Sequence, residues 1–189
     1  TWGNEEIEAI NEVIASNRYT MGDRVKTFET EFAKFFGSQY SIMVNSGSSA
    51  NLLMIASLVL SDDHNINMND EIIVPSVSWS TTYYPVSQYN LKLVFVDINR
   101  QTLNIDVDKI KQAITNKTKA IFAVNLLGNP CDMKKLKEIC SEYDLILIED
   151  NCESLGAKYE NKYTGTFGIM GSFSFFFSHH MQTMEGGMI

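Results

Sequence analysis

The chain has 189 residues, of which 44% are hydrophobic and 20% charged, and its formal net charge is −8. These values are typical of a soluble globular domain or a large part of one. The acidic balance argues against a protein that binds the phosphate backbone of nucleic acids, although backbone amides can still hold a small anionic ligand. No apolar run reaches the ~18 residues of a membrane span and no basic segment precedes one, so we expect a cytoplasmic protein.

Helical and strand patterns alternate along the chain. In chain order, the spacing of apolar residues predicts a helix at 4–17 capped by Asn4, a helix at 24–36 ended by Gly37, a strand at 41–44, a helix at 48–60, a polar surface loop at 61–70, strands at 71–75 and 93–97, a helix at 106–114, a strand at 119–124, a helix at 132–143, and strands at 145–150 and 173–177. Strands that are apolar on both faces and separated by helices predict a mostly parallel sheet covered on both sides.

The last residues, 187–189, have the pattern of a strand that begins and is cut off. We therefore expect the chain to be the N-terminal part of a longer protein. Its three cysteines, Cys131, Cys140 and Cys152, are odd in number and form no Cys-x-x-Cys pair. This spacing argues against a disulfide framework and against a structural zinc site.

In a parallel α/β sheet, ligands bind beyond the carboxyl ends of the strands. The segment 45–51 follows a predicted strand and opens a helix, with small residues and the hydroxyls of Ser48 and Ser49. Such a helix N-terminus can bind a phosphate group. An ordinary serine-capped helix is the alternative, and the motif taken alone favours it.

Two more strand ends carry candidate ligand-binding residues. Asp150 ends a buried strand, where a carboxylate needs a partner such as a protonated ring nitrogen, or else caps the next turn. Trp79 follows the strand that ends at residue 75 and can stack on a flat ring, or simply pack in the core or an interface.

The last predicted strand is followed by two adjacent histidines, His179 and His180. Neighbouring side chains on a strand point to opposite faces, so the pair is a poor metal site and we expect none. One histidine as a proton carrier and the other in a supporting role is the better interpretation. His64, in the polar loop, is the remaining histidine of the sequence.

Together these sites resemble the DegT/DnrJ/EryC1/StrS family, the sugar-nucleotide branch of the fold-type-I pyridoxal-phosphate (PLP) enzymes. The resemblance extends along nearly the whole chain, through TWGNE at 1–5, RYTMG at 18–22, IVPS at 73–76, DI at 97–98, TLNID at 102–106, TKAI at 118–121, ED at 149–150 and EGG at 185–187. It implies the three-layer α/β/α large domain of aspartate aminotransferase-like enzymes, truncated here. Residues 1–189 would be the N-terminal part of that domain, without its remainder and without the small C-terminal domain, and the complete protein would be a homodimer.

The resemblance also implies roles for individual residues. The phosphate of the cofactor would lie on Ser48, Ser49 and Ser174, with Gly47 allowing close approach. Trp79 would stack on the pyridine ring and Asp150 would pair with its nitrogen. Glu153 stands near the ring hydroxyl, where the aminotransferases generally have glutamine.

The lysine that anchors the cofactor in this family should fall at position 179, where the chain has histidine instead. Lys162 is the last lysine, so no shift of register restores one. One branch of the family makes this exchange functional, the colitose-pathway 3-dehydratases. Its resemblance rests on VSWSTTYYP at 77–85, VNLLGNP at 124–130, EDNCES at 149–154 and SHHMQTMEGG at 178–187.

That branch implies a reaction. Glutamate would convert PLP to pyridoxamine phosphate, and His179 would move the proton while the 3-hydroxyl of a GDP-linked 4-keto-6-deoxy sugar leaves, with ammonia released at the end. Three alternatives stay open: an iron–sulfur-dependent dehydratase of CDP-linked sugars, a sugar aminotransferase, and a non-catalytic relative that only binds these ligands. The 189 residues alone are expected to have little or no activity.

Overall fold

The structure is a computed structural model that describes residues 2–189. The chain divides into two compact units, residues 1–43 and 44–189. No helix among the described residues is long and apolar enough to cross a membrane. All candidate site residues belong to the second unit.

The first unit contains two helices, α1 (Asn4–Ser16) and α2 (Asp23–Phe36). Gly3 precedes α1, and its amide donates to Glu6 Oε2 at 2.7 Å. The prediction that Asn4 caps this helix is therefore wrong by one residue. The N-cap is Gly3, and the Glu6 side chain in the first turn accepts the hydrogen bond from its amide. Helix α2 ends at Gly37 as predicted, in the left-handed conformation with φ 72°.

The remaining elements begin as alternating strands and helices and end in a run of five strands. In chain order they are β1 (Met43–Val44), α3 (Gly47–Leu60), β2 (Glu71–Pro75), α4 (Ser80–Gln88), β3 (Lys92–Val96), α5 (Val107–Ala113), β4 (Thr118–Val124), a 3₁₀ turn (Leu126–Gly128), α6 (Met133–Tyr143), β5 (Ile146–Asp150), β6 (Lys158–Tyr159), β7 (Lys162–Tyr163), β8 (Met170–Ser174) and β9 (Gly187–Met188).

The strands form a seven-stranded sheet in the order β1-β9-β8-β5-β4-β2-β3. The pairs β2–β3, β2–β4, β4–β5 and β5–β8 are parallel, and β8–β9 is antiparallel. Strands β6 and β7 form a separate antiparallel pair. The predicted mostly parallel sheet is confirmed, as is the strand that begins at residue 187.

Side chains of β4 alternate between two hydrophobic cores, one on each face of the sheet. Ile121 packs in a cluster with Ile110 of α5 and Leu136 of α6. Phe122 packs in the other cluster, with Met54 of α3. Full burial of such a side chain contributes about 1.5–3 kcal/mol, so the helices on both faces are held by the sheet. The result is the predicted three-layer α/β/α arrangement.

Two elements differ from the sequence prediction. Helix α4 was not predicted, and it follows directly after Trp79. The last long strand, β8, ends at Ser174 instead of residue 177, so residues 175–186 form a loop. His179 and His180 therefore lie on this loop and not on a strand.

Candidate active site

A cavity of about 380 Å³ opens where strands β4, β5 and β8 end. Its lining consists of Ser46, Gly47, Ser48, Asn51, Ser78, Trp79, Thr81, Val124, Leu126, Asp150, Cys152, Glu153, Ser174, Phe176, Ser178, His179 and Glu185. These residues come from the segments after five different strands, as expected for a ligand site in a parallel sheet. Of the predicted site residues, Ser49 alone is not in this lining.

The N-terminus of α3 forms one wall of the cavity. Ser46 caps the helix, because its Oγ accepts from the amide of Ser49 at 3.1 Å, and the two hydroxyls lie 3.2 Å apart. The hydroxyl and amide of Ser49 thus contact the cap, whereas Ser48 is exposed toward the cavity. The serine-capped helix is confirmed, and the same helix start presents Ser48 to the cavity.

Gly47 has no space for a side chain. A Cβ at this position would lie 2.6 Å from Ser174 Cβ and 2.7 Å from Cys152 Sγ. Those distances are far shorter than van der Waals contact between such atoms. Glycine is therefore required where the start of α3 meets the end of β8, and it brings the helix amides to the cavity.

Asp150 ends β5 and its side chain is held by three donors. Its Oδ2 accepts from Asn51 Nδ2 and from Thr82 Oγ1, each at 2.8 Å, and its Oδ1 accepts from the amide of Cys152 at 3.1 Å. The residue is 6% exposed. The carboxylate that the sequence placed at a strand end is thus fixed in orientation at the base of the cavity.

Asn51 lies one helical turn after Gly47 and also lines the cavity. Its Nδ2 faces two acceptors, Asp150 Oδ2 and, at 3.4 Å, the carbonyl oxygen of Thr81. Its Oδ1 is buried without a hydrogen-bond partner among the described residues. The i, i+4 spacing from Gly47 along α3 was the sequence signal that could have identified this residue.

Glu149 points away from the cavity, as expected from the alternation of side chains along β5. It is fully buried and accepts from the amides of Gly165, Phe167 and Gly168 at 2.6–2.8 Å. Burial raises the pKa of the Glu149 carboxyl, and the three amides oppose that shift. This carboxylate ties the segment before β8 to the sheet.

Glu153 lines the cavity and is positioned by a backbone contact. Its Oε2 accepts from the amide of Leu127 at 3.0 Å, within the 3₁₀ turn after β4. Leu127 has φ 53°, a left-handed conformation that costs a non-glycine residue energy. The turn therefore presents its amide to Glu153 at the expense of local strain.

His179 lines the cavity, whereas His180 is exposed and outside the lining. The amide of His179 donates to the carbonyl oxygen of Phe176 at 2.9 Å, and the two rings meet edge to face with centroids 6.3 Å apart. The argument from opposite strand faces was wrong, since both histidines lie on a loop. The structure places His179 at the cavity and His180 outside its lining.

Trp79 lies immediately before α4. It lines the cavity and is 74% exposed. Sequence reasoning missed Asn51, Ser78, Cys152 and Glu185 as lining residues. All four lie within segments quoted from the sequence, so proximity to the candidate residues was the available signal.

The three cysteines are free thiols. Across residues 2–189, no group of three or more His, Cys, Asp or Glu residues is arranged to hold a metal ion.

Comparison with known proteins shows which family and which solved structures this chain is similar to. The model of the DegT/DnrJ/EryC1/StrS aminotransferase family matches residues 1–189. The chain is 57% identical over 189 residues to the GDP-4-keto-6-deoxy-D-mannose 3-dehydratase of Yersinia pseudotuberculosis, a match that covers 100% of this chain and 48% of that protein. The chain thus spans about half the length of the curated relatives it matches.

Two solved structures of GDP-4-keto-6-deoxymannose-3-dehydratase (ColD) match with a TM-score of 0.96 and cover 100% of this chain and 49% of theirs. One, at 56% identity, contains a trapped PLP-glutamate geminal diamine. The other, at 55% identity, is a variant in which a histidine and the serine before it are replaced by lysine and asparagine. The fold is that of fold-type-I, aspartate aminotransferase-like enzymes, which confirms the predicted fold class.

Proposed function

Since the chain belongs to the DegT/DnrJ/EryC1/StrS aminotransferase family, we propose that it is part of a PLP-dependent sugar 3-dehydratase. The enzyme would remove the 3-hydroxyl of a nucleotide-linked 4-keto-6-deoxy sugar in deoxysugar biosynthesis. GDP-4-keto-6-deoxy-D-mannose is the proposed substrate and glutamate the proposed amino donor, following the similarity to the Yersinia pseudotuberculosis enzyme. The observation that carries the proposal is His179, a histidine in a cavity whose described lining contains no lysine.

We propose further that residues 1–189 are the N-terminal part of the cofactor-binding large domain. The half-length match to relatives supports this placement. The complete enzyme would be a homodimer that works in the cytoplasm, where glutamate and nucleotide sugars are available.

The residues of the cavity fit PLP or pyridoxamine phosphate. Gly47 lets the start of α3 lie directly against Ser174 and Cys152, which brings the free amides of the helix start to the cavity. Such amides, together with the hydroxyls of Ser48 and Ser174, are suitable for a phosphate group.

Each wall of the cavity would hold one part of the cofactor. Asp150 would accept a hydrogen bond from the protonated ring nitrogen, and Trp79 would cover the ring face. Ser49 would act through the cap that it forms with Ser46. Glu153, fixed by the Leu127 amide, would approach the ring hydroxyl. When bound, the cofactor supplies an electron sink for the elimination.

His179 would move the proton that accompanies loss of the 3-hydroxyl. Imidazole can accept and return a proton near neutral pH, but it cannot anchor a carbonyl compound covalently as a lysine amine does. The cofactor would therefore be held by non-covalent contacts alone. The ColD variant with a substituted serine-histidine pair supports this assignment, because Ser178–His179 is the single Ser-His sequence in this chain.

The first experiment combines full-length protein, PLP, glutamate and GDP-4-keto-6-deoxy-D-mannose, with mass spectrometry of the sugar and an ammonia assay. We expect loss of the 3-oxygen and stoichiometric ammonia. His179→Asn should lower the rate about 10²–10⁴-fold, since it removes the proton carrier. His180→Asn, a change outside the cavity, is the matched control and should keep nearly full activity.

Other results would select the alternatives. An amino sugar without ammonia would mean an aminotransferase. Stoichiometric iron and sulfide would favour the iron–sulfur dehydratase. PLP binding without any change of the sugar would indicate a binding protein. Equal rates for His179→Asn and the wild type would show that the proton carrier is another group.

A further inference from the structure

We propose that Thr82 and Asn51 are positioning residues that prepare Asp150 to recognise a protonated ring nitrogen. The inference rests on the proposed function, in which Asp150 contacts the ring of PLP. Both lie within segments quoted from the sequence, 45–51 and 77–85, but neither was given a role there. Both are nearly inaccessible, Thr82 at 0% and Asn51 at 1% exposure, and both donate to the same carboxylate oxygen.

The donors divide unequally between the two oxygens of Asp150. Oδ2 accepts from Asn51 Nδ2 and Thr82 Oγ1, each at 2.8 Å, whereas Oδ1 accepts from the Cys152 amide at 3.1 Å. Each carboxylate oxygen has about two acceptor sites. Two donors therefore fill Oδ2, so Oδ1, with the Cys152 thiol beside the carboxylate, is the oxygen left to accept from a ligand.

The direction of the hydrogen bonds through Thr82 is determined by chemistry. An ionised carboxylate can only accept, so the Thr82 hydroxyl must give its proton to Asp150. Ser78 Oγ lies 2.8 Å from Thr82 Oγ1 and must then donate to it. Ser78 lines the cavity. The chain Ser78, Thr82, Asp150 thus runs from the cavity wall to the carboxylate with every donor pointing the same way.

The orientation of the Asn51 amide is fixed in a similar manner. Its Nδ2 lies near two acceptors, Asp150 Oδ2 and the Thr81 carbonyl oxygen. That carbonyl is available because Pro85, four residues later in α4, has no N–H to donate to it. A flipped amide would place Asn51 Oδ1 against both acceptors, so the Nδ2 must face Asp150.

The amide of Asn51 is turned toward Asp150 at a cost to its own oxygen. A buried polar group that only supports a fold normally has all its hydrogen bonds made. Here the amide donates to Asp150 while its own oxygen has no partner among the described residues. Asn51 Nδ2 thus keeps its hydrogen bond to Asp150, although Oδ1 of the same amide has no partner among the described residues.

The test compares two ligands that differ in one ring atom. Full-length protein is titrated with PLP and with its 1-deaza analogue, in which carbon replaces the ring nitrogen, and both Kd values are measured by absorbance. The wild type should bind PLP more tightly. Thr82→Val, which keeps the side-chain shape but removes the hydroxyl, should reduce the ratio of the two Kd values about tenfold, the typical effect of one charge-assisted hydrogen bond. Thr82→Ser should restore it.

Thr164→Val is the matched control, because Thr164 is also fully buried with a hydroxyl that donates to Ala157 O at 3.2 Å, outside the cavity lining. It should lower stability without changing the ratio. If Thr82→Val does not fold, Asn51→Leu answers the same question. A wild type that binds both ligands equally contradicts the proposed Asp150 contact itself. A wild type that discriminates and a folded variant with the same ratio overturn only the positioning role.

Discussion

Glu149 and Asp150 are neighbours on β5 with opposite surroundings. Asp150 faces the cavity and is held mainly by side-chain donors from α3 and α4. Glu149 faces the segment before β8 and binds backbone amides. A sequence prediction could place the pair at a strand end, but the partners of both carboxylates come from residues distant in the chain. The sequence could single out Asp150 as the candidate for a ligand contact, but the donors that hold each carboxylate could not be identified beforehand.

We expect Glu149→Gln to lower the free energy of unfolding by about 1–3 kcal/mol, the usual result of leaving buried polar groups unpaired. Amides donate to both oxygens of Glu149, so the NH₂ group of glutamine must face at least one donor in either orientation. Urea unfolding at neutral pH measures the change. Glu142→Gln is the control, because the exposed Glu142 pairs with Lys111 on the surface and should change stability by a few tenths of a kcal/mol. Equal effects of the two changes would contradict the structural role.

At the scale of elements, the start of α3 and the end of β8 depend on each other through Gly47. We expect Gly47→Ala to weaken PLP binding and to reduce stability by about 1–3 kcal/mol, because the added methyl group overlaps Ser174 and Cys152. Calorimetric titration with PLP and thermal unfolding measure both effects. Gly3→Ala places its methyl group 3.5 Å from Glu6, an ordinary contact, and is the control. Unchanged binding in Gly47→Ala would mean that the phosphate lies elsewhere.

The elements that were predicted correctly have strong local patterns, such as β2 with its apolar run at 71–75. Helix α4 was missed because residues 81–85, Thr-Thr-Tyr-Tyr-Pro, are individually poor helix formers. Strand β8 was placed too far along the chain because Phe175–Phe177 continue the apolar run. Its true position is set by pairing with β5, where Ile148 lies opposite Met170. Such non-local pairing is not visible in a local pattern.

At the scale of the whole molecule, the three thiols make the free energy of unfolding depend on pH in the alkaline range. Burial raises the pKa of Cys140 to about 12 and also raises the pKa values of Cys131 and Cys152. A raised pKa means that the folded state keeps its protons when the unfolded state begins to lose them. The contribution of Cys140 is therefore complete below pH about 9 and is lost as the pH rises toward about 12.

We expect the free energy of unfolding to fall as the pH rises above about 9, by up to about 1.4 kcal/mol per pH unit for each thiol. Cys140→Ala should show a shallower decline in urea unfolding curves recorded from pH 7.5 to 10.5. Ser141→Ala, an exposed change on the same helix, keeps all three thiols and should follow the wild type. Identical slopes for Cys140→Ala and the wild type would contradict the link.

The loop that carries His179 is closed at its base. Ser174 pairs with Gly187 across β8 and β9, and the Phe175 amide donates to the Gly186 carbonyl oxygen at 2.9 Å. Gly187 itself packs against the backbone of Ser46 and Gly47, with no space for a Cβ. None of these contacts involves the side chain at position 179, so the pairing of the strands and the start of α3 do not depend on it. In the proposed function, such a scaffold can exchange its proton carrier, and with it the reaction, by substituting one residue while every strand keeps its neighbours.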